Sequence, residues 1–125
     1  MKYTLSDIDG NETILKSTVE LHEFIEQPFD YWLAGSGDTS IQIKPNEKLV
    51  FFKLKQGVFI MQHPDYLAPV IIKDGNARPL LHYVGGEPFE LPDICLCNTQ
   101  KAFEVINYYI QSGGKLDPTY TWEHI

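Results

Sequence analysis

The amino-acid sequence predicts an α+β fold in which two principal helices pack against a mainly antiparallel sheet. Apolar residues recur at helical spacing in one early and one late segment of the chain. Between these segments, short β-prone runs alternate with turn residues, and the connection at residues 55–57 is short enough for a hairpin. The periodic ends and the strand-rich middle together indicate helices packed on a sheet.

A single domain is expected to span residues 1–125. The chain has 125 residues, of which 43% are hydrophobic and 22% charged, so it can close a hydrophobic core without disulfides or metals. No internal repeat, linker or low-complexity tract divides it. We therefore expect the whole chain to fold.

The first helix is predicted at residues 18–27. Its apolar face has the i, i+3, i+4, i+7 spacing and consists of Leu21, Phe24, Ile25 and Pro28. Ser17 and Glu20 have the spacing of a capping box, and Pro28 discourages helical conformation in the residue before it. The opposite face carries Glu20, Glu23 and Glu26, which indicates a solvated surface or, alternatively, a contact surface.

Six runs in the middle of the chain are predicted as strands. They are residues 40–44, 49–54, 58–62, 70–73, 80–84 and 94–97. Turn residues separate the runs at Pro45-Asn46, Asp74-Gly75 and Gly85-Gly86. These short connections favour antiparallel pairing.

A second, longer helix and a terminal strand are predicted within residues 98–122. Asn98 or Thr99 can cap the helix, and its broad apolar face predicts deep packing. The face consists of Ala102, Phe103, Val105, Ile106, Tyr109 and Ile110. Gly113-Gly114 can close the helix and Pro118 prevents its resumption, so residues 120–122 are expected to form a short strand.

Composition also narrows the classes of function. The net charge of −7 and the pI near 4.9 argue against a nucleic-acid ligand, because such binding depends on clustered Lys and Arg. Acidic balance is typical of ordinary soluble proteins, and a basic protein partner is the alternative. Neither a secretory signal nor an apolar run of membrane-spanning length is found, and the two cysteines suit a reducing compartment. We expect a cytoplasmic protein without a membrane partner.

Candidate catalytic and metal-binding groups lack the required arrangements. Cys95 and Cys97, on one face of a predicted strand, could join His63 or His82 at a metal, but buried free thiols are the favoured interpretation. His22 and His124 do not have the spacing from a Ser or Cys that is typical of a known catalytic family. The carboxylates Glu87, Glu90 and Asp93 are predicted to lie in exposed connections between elements. Residues 35–38 are predicted to form a turn. We expect no catalytic residue, metal or cofactor, and a small Cys- or carboxylate-dependent enzyme remains the alternative.

The carboxy-terminal segment carries a resemblance to a known family. Residues 99–103 and 108–110, followed by Gly113 or Gly114, Pro118 and Trp122, resemble the signature of the first-numbered Imm family of bacterial polymorphic-toxin immunity proteins. Members of that family are similar in length and combine an early helix, a strand-rich middle and a tryptophan near the carboxy terminus. This chain differs in the residues between the helix and the proline, and in opening the helix with Asn98 or Thr99 where a Ser is common.

The resemblance implies an antitoxin that binds and blocks a toxin domain, often a deaminase or another enzyme acting on nucleic acid. A toxin of this kind presents a basic cleft toward which an acidic inhibitor would be steered. Candidate contact residues are Asp30, Tyr31, Trp32 and Asp38. Substitution of Asp30 or Trp32 is then expected to weaken binding without changing stability.

Two alternatives remain beside this prediction. Phe29, Trp32 and Leu33 could instead cover an edge of the core, which would make Trp32 a structural residue, as Trp122 is expected to be. A general protein-interaction domain with no toxin partner would use the same surface.

Overall fold

A computed structural model describes residues 2–33, 39–72, 79–84 and 87–125. The described helices are α1 (Val19–Ile25), α2 (Phe29–Leu33) and α3 (Thr99–Gln111). The described strands are β1 (Tyr3–Ser6), β2 (Glu12–Leu15), β3 (Thr39–Gln42), β4 (Lys48–Leu54), β5 (Gly57–His63), β6 (Leu67–Val70), β7 (Pro79–Val84), β8 (Glu87–Pro92) and β9 (Thr121–His124). A 3-10 turn, Asp93–Cys95, connects β8 to the segment before α3.

The strands form two antiparallel sheets. The larger has seven strands in the order β2-β1-β3-β4-β5-β6-β9, and β7 pairs with β8 in a separate hairpin. Neighbouring strands of the larger sheet pair antiparallel throughout its described residues. The predicted α+β class with a mainly antiparallel sheet is therefore confirmed.

The core lies along the central strands β4 and β5. Leu49, Val50, Phe51 and Phe52 are consecutive and all buried, which requires cover on both faces because side chains alternate along a strand. α3 packs against β5, α1 against α3, and α2 against β4. Gly57 closes the β4–β5 hairpin, where an added Cβ would lie 2.9 Å from the Cys97 carbonyl oxygen. The predicted hairpin at residues 55–57 is confirmed.

α3 follows its predicted pattern closely. The side chain of Asn98 accepts a hydrogen bond from the Lys101 N–H at 2.8 Å and caps the helix. The buried face is the one that periodicity predicts, with Ala102, Val105, Ile106, Tyr109 and Ile110 all buried. Gly113 and Gly114 both have positive φ and carry the chain away from the helix.

The amino-terminal third differs from the prediction. α1 begins at Val19 after the N-cap Thr18, whose side chain makes no capping hydrogen bond. Ser17 Oγ instead accepts from the Val19 N–H at 3.1 Å, so the predicted capping box is wrong. Leu21 and Ile25 are buried as expected, whereas Pro28 is exposed. β1 and β2 were not predicted, because each has only four residues and β2 is exposed at its first three.

Two strand predictions are corrected in the later part of the chain. Residues 94–97 do not form a strand: Ile94 and Cys95 lie in the 3-10 turn, and Cys97 makes an isolated bridge to Val58. The strand expected at residues 70–73 is instead β6, which begins three residues earlier. Its first residue, Leu67, pairs with Gln62 of β5. β9 begins at Thr121, one residue later than predicted, and β8 was not predicted. The predicted turns at residues 74–75 and 85–86 lie outside the described residues.

Within the described part of the chain, no helix has both the length and the apolar character needed to cross a membrane.

Candidate functional site

Three of the four predicted contact residues, Asp30, Tyr31 and Trp32, lie on α2, where they point in different directions. Consecutive helical residues differ by about 100° around the axis, since a turn holds about 3.6 residues. Asp30 is accordingly exposed, Tyr31 is half-buried and Trp32 is buried with 2% of its surface exposed. Asp38 lies outside the described residues. Asp30 and Tyr31 are thus available to a partner in the isolated chain, and Trp32 is covered.

Trp32 belongs to an aromatic cluster between α1, α2 and β4. Its ring lies 5.3 Å from that of Phe24, 5.5 Å from that of Tyr31 and 6.0 Å from that of Phe51. The indole Nε1–H donates to the Gln27 carbonyl oxygen at 3.2 Å, which satisfies the polar atom of the buried ring. The geometry therefore favours a core role for Trp32 and predicts, unlike the expectation from sequence, that its removal lowers stability.

Tyr31 connects this aromatic cluster to a group of carboxylates. Its ring packs edge-on against Phe24 with centroids 5.6 Å apart, and the residue is half-buried. Burial raises the pKa of Tyr31 above its ordinary value of 10.0, and the nearby carboxylates of Asp7 and Asp9 raise it further. The β1–β2 turn therefore brings the carboxylates of Asp7 and Asp9 within electrostatic range of the Tyr31 hydroxyl.

Asp7 holds the β1–β2 turn in shape. Its carboxylate Oδ1 accepts hydrogen bonds from the N–H groups of Asp9 at 2.9 Å and Asn11 at 3.0 Å. Gly10 adopts a φ of +82°, a conformation that favours glycine, and its N–H donates to the Asp7 carbonyl oxygen. Asp9 is exposed beside this turn. We call Asp7, Asp9, Asp30 and Tyr31 the acidic patch.

The acidic patch rests on a connection that Lys53 stabilises. Lys53 Nζ donates to the carbonyl oxygens of Ile25, the last residue of α1, at 2.7 Å and of Gln27, two residues later, at 2.8 Å. Burial lowers the pKa of Lys53, and the nearby Glu26 carboxylate opposes that shift. A cation at a helix carboxy terminus is stabilising, so this β4 side chain fixes the α1–α2 corner.

Sequence reasoning did not find Asp7 and Asp9 as site residues. They lie more than twenty residues before Tyr31, and only the pairing of β1 with β3 and the packing of α2 on β4 place them next to it. A local signal did exist, because Asp-x-Asp-Gly-Asn is typical of a tight turn that exposes its carboxylates.

The cysteines are poorly suited to nucleophilic chemistry. Burial raises the pKa of Cys95 to about 11, and the Glu123 and Asp93 carboxylates add to the shift. Burial also raises the pKa of Cys97 to about 12, against a smaller opposing effect of Lys101. The Cys97 thiol donates a hydrogen bond to the Val58 carbonyl oxygen, with Sγ 3.5 Å from that oxygen. Both are free, buried thiols, as predicted, and they stay protonated at neutral pH.

The histidines lie in separate environments. His22 packs edge-on against Phe103 at 4.9 Å, His63 against Tyr66 at 5.6 Å, and His124 Nδ1 lies 2.8 Å from the Asp65 carbonyl oxygen. The side chain of His82 lies outside the described part. Across residues 2–33, 39–72, 79–84 and 87–125, no three His, Cys, Asp or Glu side chains gather in a metal-binding arrangement.

Of the predicted connection carboxylates, Glu87 and Glu90 belong to strand β8, which corrects their assignment to a loop. Glu90 is exposed, as expected. Asp93 opens the 3-10 turn, and its carbonyl oxygen accepts from the Leu96 N–H at 3.1 Å.

Two surface hollows lie away from the acidic patch. One, of about 390 Å³, is lined by Gln42, Asn46, Glu47, Lys48 and His63. Its carboxylate is already engaged, since Glu47 accepts from the Tyr109 hydroxyl at 2.9 Å and lies 3.4 Å from Lys44 Nζ. The other, of about 340 Å³, is a shallow groove between α1 and α3, lined by Thr18, Val19, His22, Glu23 and Phe103. Neither hollow gathers the groups of a catalytic site.

Comparison with known proteins finds no family model that matches the chain and no matching curated protein.

Proposed function

We propose that this protein is an immunity protein that binds and neutralises the cognate toxin domain of a polymorphic or contact-dependent toxin system. In this proposal the toxin is an enzyme that acts on nucleic acid. The immunity protein blocks it in the cytoplasm by occluding its active site. It rests on the resemblance of residues 99–122 to the Imm signature and on the surface of the described residues.

The acidic patch is the observation that carries the proposal. Tyr31 is a half-buried aromatic residue within electrostatic range of Asp7 and Asp9, and the exposed carboxylate of Asp30 precedes it on α2. Tyrosine is enriched among the residues that dominate binding energy, and complementary charge accelerates encounter with a basic partner. The net charge of −7 extends the same attraction over the whole molecule.

The signature residues have a different role in this proposal. Ala102, Tyr109 and Ile110 are buried in the core, and Trp122 Nε1–H donates to the Asp117 carbonyl oxygen at 2.9 Å. Residues of this kind maintain the fold that presents the contact surface. Recognition of one particular toxin would then depend on exposed side chains elsewhere.

The alternative of a cysteine-dependent enzyme receives less support. A nucleophilic cysteine acts as the thiolate, and the pKa values of about 11 and 12 keep both thiols protonated at neutral pH. A general interaction domain would share the acidic patch but would not protect cells from a toxin.

Co-expression with the toxin domain encoded beside the gene tests the proposal. The wild-type chain should rescue growth and bind the purified toxin domain. Asp9→Lys and Asp30→Lys should each weaken that binding by about tenfold or more, because each reverses an exposed charge without opening the core. Tyr31→Ala should weaken binding as much, and it should also lower stability because its ring packs against Phe24 and Trp32. Binding is measured by calorimetry, and thermal unfolding by circular dichroism should stay nearly unchanged in the two charge variants.

Glu104→Lys is the matched control, since it makes the same change of charge on the exposed side of α3. Cells that die despite expression of the wild-type chain would refute the immunity function. Rescue with undiminished binding in all three patch variants would keep the function and move the contact surface elsewhere, with the α1–α3 groove as the next candidate.

A further inference from the structure

Strand β2 forms an open edge of the seven-stranded sheet. It comes first in the strand order and, among the described residues, pairs with β1 alone. Glu12, Thr13 and Ile14 are all exposed, and Ile14 shows 61% of its surface to solvent. An edge strand with an exposed apolar residue offers unpaired backbone groups to another strand.

The hydrogen bonds between β1 and β2 determine which backbone groups of β2 face outward. The Asp7 N–H donates to the Asn11 carbonyl oxygen at 3.0 Å, and the β1–β2 register continues from there through Ser6↔Glu12 and Leu5↔Thr13 to Thr4↔Ile14. In an antiparallel ladder, hydrogen-bonded pairs alternate with non-bonded pairs. Thr13 therefore bonds to β1, and Glu12 and Ile14 direct their N–H and C=O groups toward the open edge.

The side chains along this edge are complementary to those of a second copy of the same edge that runs antiparallel to it. Glu12 and Ile14 project to one face of β2, because side chains alternate along a strand. Lys16 lies at the bend directly after the strand, and all three residues are exposed. If a second copy is laid antiparallel with its Ile14 opposite Ile14, its Lys16 falls opposite Glu12 and its Glu12 opposite Lys16. Two opposite-charge pairs then flank one aliphatic pair on the same face.

We propose that β2 pairs with β2 of a second copy of this chain, in this two-fold register, to join the two sheets into one. The register is specific: a shift of two residues would place Glu12 opposite Ile14 and leave the charges unpaired, and a shift of one residue would send Ile14 to the other face. A short strand followed by a lysine usually resists edge pairing, but here each lysine meets a carboxylate. Because two short strands bury little surface, the dimer is reversible and depends on concentration.

Charge reversal tests the register with the protein alone. Sedimentation velocity from micromolar to millimolar concentration should show a monomer–dimer equilibrium. Glu12→Lys or Lys16→Glu alone creates two like-charge pairs and should raise the dimer dissociation constant about tenfold at low salt. The double variant Glu12→Lys with Lys16→Glu restores both pairs and should return the constant to near the wild-type value.

Glu104→Lys and Lys101→Glu, both at exposed positions on α3, make the same charge changes away from the edge and should leave the equilibrium unchanged. Ile14→Pro should give a monomer with an unchanged far-ultraviolet spectrum, because it removes an N–H that faces outward and not one that bonds to β1. The proposal does not depend on the immunity function.

Three results would overturn the proposal. The first is a wild-type chain that is monomeric at all concentrations. The second is a double variant as weak as either single variant. The third is a dimer that persists in Ile14→Pro, which would indicate another surface, such as the β9 edge.

Discussion

At the scale of single residues, burial decides which of the aromatic side chains hold the fold and which can meet a partner. Tyr31 and Trp32 are neighbours in sequence, yet Tyr31 reaches the surface and Trp32 is enclosed by rings from α1, α2 and β4. The sequence shows the aromatic character of both residues. It does not show which side of a five-residue helix meets β4.

Trp32→Ala should lower the free energy of unfolding by about 3 to 5 kcal/mol, because it opens a cavity among packed rings. Trp122→Ala should cost less, since Trp122 is half-buried, although it also loses the hydrogen bond to Asp117. Urea unfolding followed by circular dichroism measures both losses. A Trp32→Ala variant as stable as the wild type would show that this ring does not support the core.

At the scale of elements, α3 is the part of the fold that local chemistry specifies most fully. Its cap, its apolar face and its glycine exit are all visible in sequence and all present in the structure. α1 shows the opposite case: its periodicity is correct, but its start is moved by one residue and Ser17 bonds to Val19. The difference arises because α1 has only seven residues and depends on packing against α3 and on Lys53 at its end.

Asn98→Ala should destabilise the protein by about 1 kcal/mol, because the Lys101 N–H loses its side-chain acceptor at the start of α3. Asn98→Asp should retain most of the stability, since a carboxylate accepts the same bond. The measurement is again urea unfolding with an unchanged slope. Equal losses in the two variants would mean that the side-chain cap does not stabilise α3.

At the scale of the whole molecule, buried tyrosine and cysteine side chains with raised pKa values make the free energy of unfolding vary with pH in the alkaline range. Burial raises the pKa of Tyr3 to about 12, with a further contribution from Glu20, and those of Cys95 and Cys97 to about 11 and 12. The ordinary values are 10.0 for tyrosine and 9.0 for cysteine. At a pH between a group's ordinary pKa and its raised pKa, the unfolded chain has released a proton that the folded chain still holds.

These three groups should therefore add no pH dependence to the stability below about pH 9, and stability should fall as pH rises through 9 to 12. Each fully shifted group contributes a slope of up to about 1.4 kcal/mol per pH unit in its own window. Chemical denaturation under reducing conditions from neutral to alkaline pH measures this slope. Cys97→Ala should show a shallower decline than the wild type, and an equally steep decline would contradict the assignment.

The sequence by itself determined the α+β class, the long helix with its cap and exit, the β4–β5 hairpin and the presence of two free buried thiols. Each of these follows from interactions between residues close in the chain or from side-chain type. Only the tertiary structure decided that Trp32 is enclosed, that Asp7 and Asp9 approach Tyr31, and that β2 ends the sheet. These features depend on which distant segments pack together, and short-range periodicity and capping carry no information about that packing.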